Sequence, residues 1–116
     1  MGASDQGRRT AVILDADPVR LGNLESILER LDVDVVAAAT ALEAALEAIA
    51  DERPDLVLIG VSPSKVPDVA ALIDTAEKGD RSIVMALGDD DDPVFVGSIL
   101  AMGVRAYVVT GRDRPG

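Results

Sequence analysis

Acidic side chains are the main groups in this sequence that could do chemistry. The sequence contains no His and no Cys, which excludes imidazole bases, thiol nucleophiles, disulfides and the usual zinc sites. Carboxylates remain at Asp15 and Asp17, directly after an apolar run, and in the four consecutive aspartates at 89–92. Carboxylate oxygens can bind a hard cation or attack a phosphoryl group. The elements that position these acids therefore decide which chemistry is open to them.

Short apolar runs alternate with helical patterns along the chain. The runs are 11–14, 33–38, 56–59, 83–87 and 106–109. Continuous apolarity is typical of strands that are covered on both faces, as in a parallel sheet between helices. The order βαβαβαβαβ with right-handed crossovers predicts a doubly wound α/β domain, for which the flavodoxin-like strand order 2-1-3-4-5 is one of two common solutions.

The first two helices have recognisable start signals. Asp17 and Pro18 predict the N-cap and first position of the first helix. Its predicted buried residues are Leu24, Ile27, Leu28 and Leu31. Thr40 and Glu43 have the spacing of a capping box and predict the start of the second helix. Its predicted apolar stripe comprises Leu42, Ala45, Leu46 and Ile49.

Two further helices are expected before the chain ends. The third should end near Gly79. Its predicted apolar stripe comprises Val69, Leu72, Ile73 and Ala76. The fourth should begin at Asp92 and Pro93 and end at Gly103. A final helix after the fifth strand is missing, so either a longer chain or a partner would have to cover one side of that strand.

Length and composition restrict the class of protein. The 116 residues suit one domain, and we expect a flexible tail over 1–9, the domain over 10–111 and a tail or the start of a linker over 112–116. A net charge of −10 opposes direct binding to nucleic acid. No apolar run reaches the roughly 20 residues of a membrane helix, and the polar start has no signal-peptide core. A cytoplasmic location without membrane contact is expected.

Four separated segments carry a family resemblance. They are 11–20, 54–63, 82–88 and 103–110, and each includes the predicted carboxyl end of a strand. Together they resemble the receiver domains of bacterial response regulators, most closely those that precede a LuxR-type (NarL-type) DNA-binding domain. The resemblance covers nearly the whole chain. It implies a two-component signalling role and a C-terminal DNA-binding output domain outside this sequence.

At the chemical positions of that family, this sequence departs from the pattern. The resemblance implies a second metal-binding acid where Ala16 stands and the phosphoacceptor aspartate where Gly60 stands. It also implies a Thr or Ser at Leu87 and a Lys at Thr110. Only Asp15 matches. Because an acyl phosphate needs a carboxylate, a divalent ion and donors for its oxygens, we expect a noncatalytic pseudo-receiver without cofactor or bound metal, in which Asp15 is all that remains of the family's metal ligands.

Other carboxylates have alternative interpretations. Asp55 begins the third strand and should lie at the opposite edge of the sheet, and Asp17 is explained as an N-cap, so neither is expected to replace the acceptor. The acids at 89–92 could bind a cation. In the alternative interpretation, Asp92 caps the fourth helix and its neighbours are solvated.

Two features indicate a surface for contacts with other proteins. The resemblance places Tyr107 at the aromatic switch position of receivers, although ordinary packing is the alternative. The fourth helix is apolar around most of its circumference, which exceeds what a one-sided core helix requires. Its apolar residues include Phe95, Ile99 and Met102. These residues are expected to contact a second protomer or another domain, unless they pack only within the domain.

These observations predict a phosphorylation-independent regulatory and dimerisation module for a transcriptional output domain. Without an acyl phosphate, switching requires a ligand or partner that binds two conformations differently. The alternative is a small-molecule sensor, whose ligand would occupy the uncharged pocket of Ala16, Gly60 and Leu87. A residual enzyme or phosphorelay member would need a nucleophile that the sequence does not offer.

Overall fold

The computed structural model describes residues 9–62, 65–79 and 82–109. Its strands are β1 (Arg9–Leu14), β2 (Val33–Ala39), β3 (Leu56–Gly60), β4 (Ile83–Gly88) and β5 (Ala106–Val109). Its helices are α1 (Pro18–Arg30), α2 (Leu42–Glu52), α3 (Val66–Gly79) and α4 (Pro93–Ala101). Each predicted strand is present.

The strands form one parallel sheet in the order β2-β1-β3-β4-β5. This confirms the predicted doubly wound, flavodoxin-like topology. The register aligns the carboxyl ends of the strands, since Leu14 pairs with Ile59 and Gly60 pairs with Leu87. Residues that follow these strands therefore meet at one edge of the sheet.

Helices cover both faces of the sheet. Val57 and Ile59 point into a core formed with α2, α3 and α4, whereas Leu58 points into a smaller core beneath α1. On the α1 side, Ile83 is exposed, as is Val108, which pairs with Leu87. The described helices thus leave this side of β4 and β5 partly uncovered.

The cap signals from Asp residues are confirmed. The Asp17 carboxylate accepts a hydrogen bond from the Val19 N–H at 3.0 Å, and the Asp92 carboxylate accepts one from the Val94 N–H at 3.1 Å. Both caps precede a proline at the start of a helix. α4 ends at Ala101, two positions before the predicted Gly103, which has a φ of 114°.

Two details of the helix predictions are wrong. The N-cap of α2 is Ala41, which makes no side-chain cap hydrogen bond, so Thr40 and Glu43 do not form a capping box. β2 extends to Ala39, and the helix therefore starts one residue too late for the Thr40 hydroxyl to reach its first turn. In α1, Leu28 is buried but Ile27 is exposed, because consecutive helical positions point about 100° apart. Leu31 is the C-cap that follows α1 and is also exposed.

Candidate functional site

The predicted site residues lie at the carboxyl edge of the sheet. Asp15 and Ala16 follow β1, Gly60 ends β3, and Leu87 precedes the last residue of β4. Thr110, the fifth predicted position, lies outside the described residues. The structure thus brings the first four predicted positions to one edge.

A buried ion pair occupies this edge. The Asp15 side chain is 1% exposed, and Arg20 in the first turn of α1 binds both of its oxygens. The Arg20 Nε donates to Oδ2 at 2.5 Å, and Nη2 donates to Oδ1 at 3.2 Å. The Asp17 N–H also donates to Oδ1, at 2.9 Å. Such bidentate, charge-assisted contacts fix both side chains.

The electrostatic surroundings favour the charged form of Arg20. The hydrogen bond to Asp15 is the largest effect and raises the pKa of the Arg20 guanidinium. Burial, the second largest, lowers it, and the charges of Asp15, Asp17 and Asp89 raise it again. Arg20 is therefore a permanent cation inside an acidic edge. It places a positive charge directly beside the Asp15 carboxylate.

Gly60 is required beneath this ion pair. A Cβ atom at Gly60 would lie 2.5 Å from Asp15 Oδ2 and 2.7 Å from its Cγ, closer than real Cβ contacts allow. The Asp15 carboxylate therefore lies directly over the end of β3. No side chain can be added at Gly60 unless the carboxylate moves.

Within the described part of the chain, no three acidic side chains converge as a metal site. Asp92 caps α4, and the Asp90 carboxylate accepts a hydrogen bond from the Asp92 N–H at 3.0 Å. These contacts agree with the helix-cap interpretation of the acids at 89–92. Asp55 lies at the opposite edge, where its carboxylate accepts a hydrogen bond from the Thr10 N–H at 2.9 Å.

Tyr107 links β5 to the loop before α4. Its hydroxyl donates to the Asp90 carbonyl oxygen at 2.9 Å, and its ring makes an edge-to-face contact with Phe95 at 6.1 Å between centroids. A Cβ atom at Gly88 would clash with the Tyr107 hydroxyl and lie 2.8 Å from the Val61 carbonyl oxygen. Burial, followed by the charge of Asp90, raises the pKa of Tyr107.

The α4 helix has one buried side and one exposed side. Ile99 is fully buried in the core, and Phe95 and Met102 pack against that core while partly buried. Val94, in contrast, is 80% exposed, and Leu100 is also exposed. Packing within the domain thus explains most of the apolar character at Phe95, Ile99 and Met102. It leaves Val94 and Leu100 as an apolar surface.

A cleft of about 180 Å³ lies beside Gly60, on the side away from Leu87. Its lining comprises Leu14, Ala16, Thr40, Ala41, Leu42, Ile59, Gly60, Lys65 and Asp68. Leu87 instead packs in the core beneath α1 with Ile13 and Leu58. Of the three residues assigned to an uncharged pocket, the cleft therefore includes Ala16 and Gly60.

Sequence reasoning missed Arg20, Lys65 and Asp68. Arg20 lies five residues after Asp15, in the first turn of the helix that follows the strand, and this spacing was a usable signal for the ion pair. Lys65 and Asp68 had no such signal. They reach the cleft because the loop after β3 and the start of α3 lie beside the ends of β1 and β2.

The chain matches no model of a known protein family, and no curated protein matches it. Solved structures do resemble it. One is the signal receiver domain of the response regulator NarL from Mycobacterium tuberculosis, with 24% identity, a TM-score of 0.73, and coverage of 92% of this chain and 86% of that one. Another is the BeF3-activated N-terminal receiver domain of Klebsiella pneumoniae RstA, with 27% identity, a TM-score of 0.72, and coverage of 91% and 87%.

A DNA-binding response regulator of the LuxR family from Staphylococcus aureus is also similar. Its identity is 14% and its TM-score 0.74, with coverage of 87% of this chain and 85% of that chain. These likenesses show that the chain has the fold of response regulator receiver domains. No helix among the described residues is long and apolar enough to cross a membrane.

Proposed function

We propose that this chain is a pseudo-receiver, a regulatory domain of the response-regulator type that acts without phosphorylation. The observation that carries the proposal is the Asp15–Arg20 ion pair over Gly60. The position that resembles the phosphoacceptor has no side chain, and the space above it is filled by the Asp15 carboxylate. Because glycine offers no nucleophile, an acyl phosphate cannot form at this position.

The charges at the edge also support a noncatalytic role. Phosphoryl transfer to a carboxylate requires a cation that bridges protein and phosphoryl oxygens. Here both oxygens of Asp15 already accept hydrogen bonds from Arg20. A metal ion would have to displace this bidentate pair from a carboxylate that is almost fully buried. The Arg20 guanidinium thus takes the place of a bound cation at Asp15.

Intact-mass spectrometry after incubation with acetyl phosphate and Mg²⁺ tests the proposal. We expect no mass gain, whereas a receiver domain with an intact acceptor aspartate, treated in parallel, should gain one phosphoryl group. A stoichiometric, acid-labile adduct on this chain would contradict the proposal. Should an adduct form, its loss in Asp15→Asn or in Asp17→Asn would identify the carboxylate that replaced the acceptor.

The α4 helix supports a role in assembly, and we include a homodimer in the proposal. Val94 is 80% exposed and Leu100 is exposed on the same short helix. Burial of such apolar surface against a second copy is favourable by about 25 cal/mol per Å². The LuxR-family neighbour is a DNA-binding protein, which supports a DNA-binding output domain as the element that the dimer would control.

Sedimentation velocity tests this assembly. Val94→Asp should shift a dimer toward monomer, because the charge would be buried in the interface. Val19→Asp is a matched control, since Val19 is 71% exposed but lies on α1, and it should leave the dimer intact. A monomeric parent chain, or equal effects of the two variants, would contradict the assignment to α4.

Ligand sensing is a second candidate function. The observation that favours it is the cleft beside Gly60, which opens at the edge where ligands bind in parallel α/β sheets. A ligand in this cleft could regulate the domain only if it bound two conformations with different affinity. Ligand titrations test this function separately from phosphorylation.

A further inference from the structure

The cleft lies at the switch point of the sheet. β1 and β3 are neighbours, but the chain leaves β1 toward α1 on one face and leaves β3 toward α3 on the other face. The two connections diverge and leave a crevice at the carboxyl ends of the strands, which is the usual place for a ligand in this type of sheet. Gly60, which has no side chain, lies in this crevice.

The lining combines an apolar wall with opposite charges. Leu14 and Ile59 are buried and form part of the wall, together with the partly buried Leu42. Lys65 and Asp68 line the same cleft, and neither forms an ion pair with any residue in the described ranges. One ammonium group and one carboxylate are thus available to a ligand beside an apolar surface.

Size and charge restrict the ligand. A volume of about 180 Å³ lies below the roughly 300 Å³ of the smallest drug-sized pockets and suits a small ligand. A purely anionic ligand would be repelled by a chain of net charge −10. A zwitterion avoids this repulsion, because its carboxylate can pair with Lys65 while its ammonium group pairs with Asp68.

We infer that the cleft binds a free amino acid with an aliphatic or thioether side chain. This inference rests on the ligand-sensing function proposed above and names its ligand class. The carboxylate of the ligand pairs with Lys65 and its ammonium group pairs with Asp68. Its side chain contacts the apolar wall of Leu14, Leu42 and Ile59.

A titration monitored by ¹H–¹⁵N correlation spectra tests this inference. The probes are valine, leucine, isoleucine and methionine, with two leucine analogues, 4-methylpentanoate without the ammonium group and 3-methylbutylamine without the carboxylate. At least one amino acid should shift the amide signals of Ala16, Thr40 and Gly60, and each analogue should bind about ten-fold more weakly than leucine or not at all. No shift with any amino acid up to about 10 mM would overturn the inference. An analogue that binds as tightly as the tightest amino acid would also overturn it.

Charge-neutralising variants provide the matched comparison. Lys65→Gln and Asp68→Asn should each weaken binding of the tightest probe about ten-fold. Lys78→Gln and Asp74→Asn should leave the binding of that probe unchanged, because these two residues form an exposed ion pair with each other on α3. Unchanged binding in the first two variants would overturn the inference. Failure of all binding would leave the phosphorylation proposal standing, whereas an acyl phosphate adduct would refute that proposal without affecting amino acid binding.

Discussion

Replacing Arg20 by Met tests the energetic role of the ion pair at the strand edge. The variant removes both guanidinium donors from Asp15, whose side chain is 1% exposed. Removing one partner of a buried ion pair costs about 3–5 kcal/mol. Because the Arg20 side chain is 32% exposed, water weakens the pair, and we expect the free energy of unfolding to fall by about 2–3 kcal/mol.

Replacing Asp15, the other partner of the ion pair, should destabilise the fold less than Arg20→Met does. Asp15→Asn keeps an oxygen that can accept the hydrogen bond from the Asp17 N–H, and the partly exposed Arg20 can be hydrated in its absence. We therefore expect Asp15→Asn to lower the free energy of unfolding by about 1 kcal/mol. In the double variant no charge is left buried, so its destabilisation should be smaller than the sum of the single effects by about 1 kcal/mol or more.

Urea denaturation monitored by circular dichroism measures these differences. With a slope of about 1–3 kcal/mol per M, a loss of about 2–3 kcal/mol should lower the Arg20→Met midpoint by roughly 0.7–3 M. Arg30→Met is the matched control, because Arg30 is an exposed arginine on the same helix, and it should change the stability by less than about 0.5 kcal/mol. Equal effects of Arg20→Met and Arg30→Met would refute the reasoning, as would a larger effect of Asp15→Asn.

Three further predictions follow from the glycines and from Tyr107. Gly60→Ala should lower the free energy of unfolding by about 1–3 kcal/mol in urea denaturation, because the new Cβ displaces the Asp15 carboxylate. A neutral effect would show that the carboxylate is not held over Gly60. Gly22→Ala should instead raise it by about 0.5–1 kcal/mol, since Gly22 is inside α1 with nothing within 4 Å of the added Cβ, and a loss would contradict this. Burial and the charge of Asp90 raise the pKa of Tyr107. The folded state therefore binds the phenolic proton more tightly than the unfolded state does. The resulting stability is present below about pH 10 and is lost as the pH rises further. The unfolding free energy of the parent chain should therefore fall more steeply above pH 10 than that of Tyr107→Phe, and parallel profiles would contradict the shift.

Local patterns were sufficient to predict most of the fold. The strands are continuous apolar runs, and buried parallel strands need that pattern regardless of their partners. Asp17 and Asp92 were identified as caps because a cap hydrogen bond spans only two residues, from the side chain to a nearby N–H. Crossover handedness reduced the strand order to two common solutions, and the observed order is one of them.

Predictions failed where neighbouring elements decide the outcome. Thr40 does not cap α2, because pairing with β1 carries β2 through Ala39 and delays the start of the helix. Ile27 has the right spacing for a buried face, yet α1 packs on the sheet through Leu24 and Leu28 and leaves Ile27 exposed. Periodicity shows that a helix has an apolar face, but the position of the sheet determines which residues that face buries.

The sequence by itself determined that Gly60 offers no nucleophile at the edge of the sheet and that an acid, Asp15, follows the neighbouring strand. Only the tertiary structure decided how that edge is filled. The placement of Arg20 on both oxygens of Asp15, with that carboxylate over Gly60, depends on how α1 and the neighbouring strands fit together to within a fraction of an ångström. Residue types state which groups are available, whereas distances of this kind arise from the packing of segments that are remote in the chain.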